Sequence, residues 1–352
     1  MKFVMLRAPT KQTKIKYRDQ IAVNDDYYED VSTSSDYWTV WANELLTRGW
    51  YDEVEIWYQE DKEHKAGVFK HSTGLKEVFW LDRFGFVNDS MSPDILFVRG
   101  DMPDYAFVLQ ALDCFKVYYP SGPYYCPNPK YDWGLCFVED LRHIEKVRER
   151  IGAPVELFKK SCVGKYFRHR SKKKYDICFV CCAPIAERKR LMFFHHIIDT
   201  LKIKGHDVSA LVIGLRDPDL IESHFRGLDV RFTGWIPRTK IGKIMAQCKI
   251  GLVLSDMERD GCPRVIQEFL AVGLPVVVSD KTCCSSIYIN RKTGAVAKDA
   301  DMVEAVLDML AVSPLMDVNE FYRTSLSMSA SVRHFAENVR EHGGPIRQWK
   351  KT

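Results

Sequence analysis

Asp260–Gly–Cys–Pro–Arg–Val–Ile–Gln–Glu268–Phe–Leu–Ala–Val–Gly–Leu–Pro–Val–Val–Val–Ser–Asp280 reads as the end of a loop, a helix and a strand in immediate succession. Pro263 falls in what would be the first helical turn, where its missing N–H and fixed φ are tolerated. Gly273 supplies a C-terminal cap, and Pro275 prevents continuation. Val276–Val277–Val278 has no polar alternation, as expected of a strand buried on both faces. Upstream, Gly251–Leu–Val–Leu254 is another such strand, and Ser255 to Gly261 is the polar loop that follows it. Strand, loop, helix and strand make the repeating unit of a parallel sheet covered by helices. The loop and the helix start then lie at the C-terminal edge of a strand, where doubly wound sheets hold their ligands.

The same alternation extends outward. Periodicity predicts strands over Asp176–Cys182, Val208–Ile213, Val230–Phe232, Ile250–Leu254 and Val276–Ser279. Helices are predicted over Arg188–Lys202, Lys240–Gln247, Val265–Val272 and Asp301–Leu310, with helix again at the end of the chain. The first half alternates less regularly. It offers strands at Lys2–Leu6, Val54–Tyr58, Ile95–Val98, Lys116–Tyr119 and Trp133–Val138. Helices are expected from Trp38 to a stop at Gly49, over Tyr105–Leu112 and over Leu141–Ile151. The polar, tyrosine-bearing stretch from Arg7 to Ser35 reads as a functional loop. A basic run, residues 165–174, separates the halves: a solvated linker, or a contact for acidic lipid headgroups or a polyanionic acceptor.

The 352 residues suit two domains, and 46% hydrophobic with 28% charged residues is an ordinary globular composition. A net charge of +4 makes no demand for nucleic acid, which is not expected as a partner. No apolar run approaches the roughly 20 residues of a membrane span. Met1–Arg7 is too short and too quickly charged for a secretory signal, so a cytoplasmic chain, peripheral to a membrane at most, is expected. The 11 cysteines are odd in number, and several sit in apolar strand-like runs, which predicts reduced buried thiols. Cys178 and Cys181 have C-x-x-C spacing, but Cys283–Cys284 gives no second pair fit for zinc.

The chemistry concentrates at the helix start. Free N–H groups of Arg264 and Val265 and the helix dipole would favour an anion such as a diphosphate. Asp260, just before the helix, can reach past the phosphates to a sugar. Glu268, one turn in, can accept two hydrogen bonds from a ribose diol. Taken singly, the first would be a helix cap and the second a surface residue. The Gly–Leu–Pro punctuation that follows favours the site.

These residues resemble the retaining GT-B glycosyltransferases, glycosyltransferase family 4 above all. That signature is two acidic residues separated by seven, a helix, glycine–x–proline and a strand. Here the acids are Asp260 and Glu268, followed by Gly273–Leu274–Pro275–Val276. The first acid is usually Glu, so Asp260 shortens the reach by one methylene. The resemblance implies two Rossmann-like domains facing a cleft: an acceptor side over 1–165, a donor-binding side over 175–330, and residues 335–352 packing back on the first. It assigns Asp260 to the sugar hydroxyls and Glu268 to the ribose. Lys189 matches the lysine that contacts donor phosphate, and with Asp260 is the catalytic candidate. Gly234–Trp235–Ile236–Pro237 matches the loop beside the donor base, and Gly261, Cys262, Arg264 and Val265 the phosphate turn. The family's further arginine is replaced by Ala183–Pro184, leaving Arg188 or Arg264 to substitute. The implied activity moves a sugar from a UDP- or GDP-sugar to a hydroxyl acceptor, with retention and with no metal or other cofactor. The first half lacks the family's glycine pair and its histidine, and the turn Tyr119–Tyr125 offers aromatics instead. Asp217–Pro–Asp219 and Asp299–Ala–Asp301 have D-x-D spacing but read as caps. A nucleotide-sugar epimerase on the same fold and an inactive sugar-nucleotide-binding module are the alternatives.

Overall fold

The computed structural model describes residues 1–8, 28–29, 36–59, 67–81, 92–100, 106–120, 131–167, 169–181, 186–215, 221, 223–256 and 261–347. The chain divides into two compact units. One is Met1–Val138 with Arg142–Phe158 and Val332–Thr352; the other is Glu139–Leu141 with Lys159–Ser331. Both are α/β, and both are doubly wound.

Among the described residues the first unit has nine strands: β1 (Lys2–Arg7), β2 (Tyr28–Glu29), β3 (Glu53–Gln59), β4 (Gly67–His71), β5 (Lys76–Leu81), β6 (Ile95–Arg99), β7 (Phe115–Tyr119), β8 (Leu135–Val138) and β9 (Val155–Leu157). Their order is β2-β4-β5-β3-β1-β6-β7-β8-β9. Pairing is parallel except between β4 and β5. β1 is central, so Phe3 to Leu6 are fully buried and carry no polar alternation. Helices α1 (Tyr37–Thr47), α2 (Ala106–Ala111) and α3 (Ile144–Ile151) connect the strands. Asp36 caps α1, accepting the N–H groups of Trp38 at 2.8 Å and Thr39 at 3.1 Å. The β4–β5 hairpin was not read from the sequence. Its residues mix charge into the strands, and Val68 is exposed, so no clean apolar period marks it.

Among its described residues the second unit has six strands: β10 (Tyr175–Val180), β11 (Ala210–Ile213), β12 (Val230–Phe232), β13 (Cys248–Val253), β14 (Val276–Ser279) and β15 (Gly294–Ala297). They are all parallel, in the order β12-β11-β10-β13-β14-β15. Helices α4 (Leu191–Ile203), α5 (Arg238–Met245), α6 (Val265–Val272) and α7 (Met302–Val312) cover the sheet. α6 buries Val265, Ile266, Phe269, Leu270, Ala271 and Val272. Gly251 in β13 makes that fit possible, since a Cβ there would stand 2.4 Å from the Phe269 ring. Gly273 ends α6 at φ 83, as the sequence predicts.

Three details differ from the sequence reading. α4 starts at Leu191 rather than Arg188, because residues 186–190 form a turn in which Arg190 takes φ 57. The linker is only partly free: Cys162 and Phe167 are buried and Gly164–Tyr166 forms a helical turn, whereas Arg170–Lys174 are exposed as a solvated linker would be, with the Lys173 ammonium donating to the Ala246 carbonyl at 3.2 Å. Cys262 and Cys284 are disulfide-bonded, with Cα atoms 5.5 Å apart, which corrects the expectation of reduced thiols for this pair. Both emerge from the C-terminal edges of the adjacent strands β13 and β14, a proximity invisible in the linear spacing.

The last helix, α8 (Met328–Glu341), sends Phe335 into the first unit, where its ring meets Trp41 at 5.0 Å and Phe137 at 5.5 Å. Among the described residues, no helix is long and apolar enough to cross a membrane.

Candidate functional site

In the second unit the strand order reverses between β10 and β13. Open α/β sheets bind ligands in the crevice at such a point. A cavity of about 380 Å³ opens there, lined by Val180 and Cys181 at the end of β10 and by Ile213 and Gly214 at the end of β11. Its far wall is the start of α6, from Cys262 to Val265, with Glu268 one turn in. Trp235, Ile236 and Ile241 close the third side, and Trp235 is largely exposed. Lys160, Arg188, Lys189 and Arg264 bring four cations to one cavity.

The helix start is built to meet an anion. Pro263 has no N–H to satisfy, and the Ile266 N–H turns back to the Pro263 carbonyl at 3.1 Å. The Val265 N–H has no acceptor among the described residues, so a donor and the positive end of the helix dipole face the cavity. Lys189 reaches in from the turn before α4, and its ammonium donates to Ser255 Oγ at 3.1 Å. The Ser255 carbonyl is in turn fixed by Thr282 Oγ1 at 2.8 Å.

Glu268 is mostly buried, and Arg238 donates to its Oε1 at 3.1 Å. Burial pushes the Glu268 carboxyl above the usual carboxylate range, while Arg238, Arg264 and Lys189 pull it back. A carboxylate held on one oxygen by Arg238 keeps acceptor capacity on the other. Arg238 was not singled out in the sequence; it follows Pro237 at the start of α5, and its pairing across 30 residues has no local signature.

The structure gathers Arg188, Lys189, Trp235, Ile236, Cys262, Arg264, Val265 and Glu268 around one cavity. Gly234 adjoins it, its carbonyl accepting the Gly214 N–H at 3.0 Å, while Pro237 caps α5. Gly261 precedes the lining residue Cys262. Asp260 lies outside the described residues, as do Ala183–Pro184, Asp217–Asp219 and most of the turns at 8–35 and 119–125. The Cys262 amide is committed elsewhere: it donates to Glu139 Oε2 at 2.7 Å, and the other oxygen of that carboxylate pairs with Lys160. Cys262 therefore lines the cavity without offering its N–H to a ligand. Asp301 stands at the N-cap of α7, as the sequence reading has it, but makes no side-chain cap bond, and Asp299 is not at a cap. Asp299 instead takes both arms of Arg190, at 2.9 and 2.7 Å, and the ammonium of Lys281 at 2.7 Å. These partners, Arg190 first, hold its carboxyl down at about 2.

Residues 175–311 match the family described as Glycosyl transferases group 1. No curated protein matches the chain in sequence. Among solved structures, sucrose-phosphate synthase from Thermosynechococcus elongatus superposes with a TM-score of 0.65 at 13% identity, covering 97% of this chain and 98% of that one. A glycosyltransferase from Rickettsia africae gives 0.66 at 12% identity, with 97% and 98% covered. HepE from Anabaena, solved in complex with UDP and glucose, gives 0.61 at 10% identity, with 97% and 100% covered. At these identities the likeness is one of fold, and the fold is GT-B.

Proposed function

We propose that this chain, whose residues 175–311 match the group 1 glycosyl transferases, transfers a sugar from a nucleotide-diphosphate sugar to a hydroxyl acceptor. One observation carries the reading. A cavity at the strand-order reversal combines an open helix N-terminus, a cluster of lysine and arginine side chains, and a buried carboxylate one turn further on. Those three features suit, in order, a diphosphate, its charge and a ribose diol.

In this reading the bond between the anomeric carbon and the terminal phosphate oxygen breaks, and a bond to the acceptor oxygen forms. Negative charge grows on the departing diphosphate. Lys189, Arg188 or Arg264, and the Val265 N–H lie where they can stabilise it, and stabilising developing charge is what lowers the barrier. With this much protein cation available, a metal ion is not required. Retention at the anomeric carbon follows the resemblance to family 4. Glu268 receives the ribose hydroxyls, and Arg238 favours its charged form and holds one of its oxygens at 3.1 Å. The base lies against Trp235 and Ile236. HepE with UDP and glucose makes a uridine donor the first to try, with GDP-sugars next.

Incubation with UDP- and GDP-sugars and assay of nucleotide release tests the reading. One donor should be turned over. Glu268→Gln should raise its KM about 10- to 100-fold, the loss of one or two charge-assisted hydrogen bonds. Binding without turnover would favour an inactive sugar-nucleotide-binding module, and an unchanged KM in Glu268→Gln would remove the ribose assignment.

A further inference from the structure

The turn that presents Arg188 and Lys189 to the cavity ends at Arg190, which caps α4 in the left-handed region at φ 57. That region disfavours a residue with a Cβ, and glycine occupies it freely. An arginine there is explained by its side chain. The guanidinium crosses to the ends of β14 and β15, where it makes two bonds to Asp299 at 2.9 and 2.7 Å and approaches Ser279 Oγ at 3.4 Å. It also lies over the Phe193 ring, with Cζ 4.3 Å from the centroid. A planar fork on a carboxylate fixes direction as well as distance. The backbone carrying Lys189 is thereby held at its next residue to the far side of the sheet, 109 positions along the chain.

We propose that the Arg190–Asp299 pair is a positioning device that sets the Lys189 turn at the height required for a donor diphosphate. This deepens the donor-site reading and rests on it. Neither residue lines the cavity, so neither touches the ligand; they act through the placement of Lys189. Lys281 shares Asp299 Oδ2 with Arg190, but it neither lines the cavity nor adjoins a residue that does.

Arg190→Gly separates positioning from stability, because glycine relieves the left-handed backbone while removing the tether. Affinities for UDP and GDP are measured by calorimetry on wild type, Arg190→Gly, Arg190→Lys, Asp299→Asn and Lys281→Met, beside thermal midpoints and the KM and kcat of the donor turned over. Arg190→Gly and Asp299→Asn should each weaken nucleotide binding roughly tenfold, about the value of one charge-assisted hydrogen bond. Arg190→Gly should keep a midpoint near that of wild type. Arg190→Lys, with one bond in place of two, should fall between, and Lys281→Met should bind as wild type does. The fault should appear in KM more than in kcat if Lys189 serves both the bound and the reacting diphosphate. Wild-type affinity in both Arg190→Gly and Asp299→Asn overturns the positioning role, and so does loss that merely tracks the thermal midpoint. A wild-type protein that binds neither nucleotide overturns the donor reading itself, and this inference with it.

Discussion

Asp36 illustrates how much one half-buried carboxylate can decide. It caps α1 through two N–H groups, and its Oδ1 takes Arg7 Nη1 at 2.9 Å. Arg7 is 1% exposed, so without this partner a full charge would be stranded in the first unit. Burial works to raise the Asp36 carboxyl, but Arg7 and the helix amides win and hold it at about 2, against an ordinary 3.8. A folded-state value below the unfolded one contributes stability above the unfolded value. That stability is lost as pH falls through the folded one. Between about pH 4 and pH 2 the first unit should therefore lose about 2 kcal/mol on this account. Urea titrations across that window should show the loss in wild type. Asp36→Asn, which keeps a capping oxygen but no charge, should be less stable at pH 6 and flatter from pH 4 to 2. Parallel acid profiles for the two proteins would show that Asp36 does not carry the dependence.

At the level of elements, α5 shows a constraint that helix propensity alone misreads. In an exposed helix, glycine to alanine gains about 1 kcal/mol. Gly242 is buried, and a Cβ on it would lie 2.0 Å from the Tyr166 carbonyl oxygen, a backbone atom that cannot swing aside. The clash should win, so Gly242→Ala is expected to destabilise the second unit by about 1–3 kcal/mol. A thermal midpoint at or above that of wild type would show that the helix can shift away from the Gly164–Tyr166 turn. The same contrast marks what could be read in advance. α6 was legible because its signals are local: a proline just ahead of its N-cap Arg264 (expected within the first turn), an apolar face, glycine at φ 83 and a following proline. Its place at the sheet's C-terminal edge followed from the flanking strands, and with it Glu268, Arg264 and Val265. The Arg190 turn was not legible, since an arginine in the left-handed region looks like any helix-start arginine. Arg238 opposite Glu268, Cys262 with Cys284, and Lys160 with Glu139 depend on chain segments that only the folded sheet brings together. The β4–β5 hairpin failed for a different reason: its strands stand toward the sheet's edge and carry charge where a buried strand would not.

For the molecule as a whole, the division into units has an energetic consequence. The first encloses a core of its own around Val4, Leu96, Tyr118 and Val138, and the second around Phe269, Val276, Ile250 and Phe194. The chain nevertheless ends in the first unit, since Val332–Thr352 belongs to it. Phe335, fully buried, meets Phe3 at 5.9 Å, Trp41 at 5.0 Å and Phe97 at 5.7 Å. Truncating such a ring in a packed core costs about 3–5 kcal/mol. The described residues that line the cavity proposed for the donor all belong to the second unit, so a nucleotide bound there should stabilise that unit by about 2.7 kcal/mol at a hundred times its dissociation constant. Calorimetric melting should then resolve two effects in two places. UDP or GDP should raise one transition and leave the other, while Phe335→Ala should lower the transition that nucleotide does not move. If Phe335→Ala instead lowers the nucleotide-sensitive transition by the same amount, the units unfold as one body. The helix Met328–Glu341 would then support the second unit as much as the first, and the affinity of Phe335→Ala for nucleotide would fall with its stability.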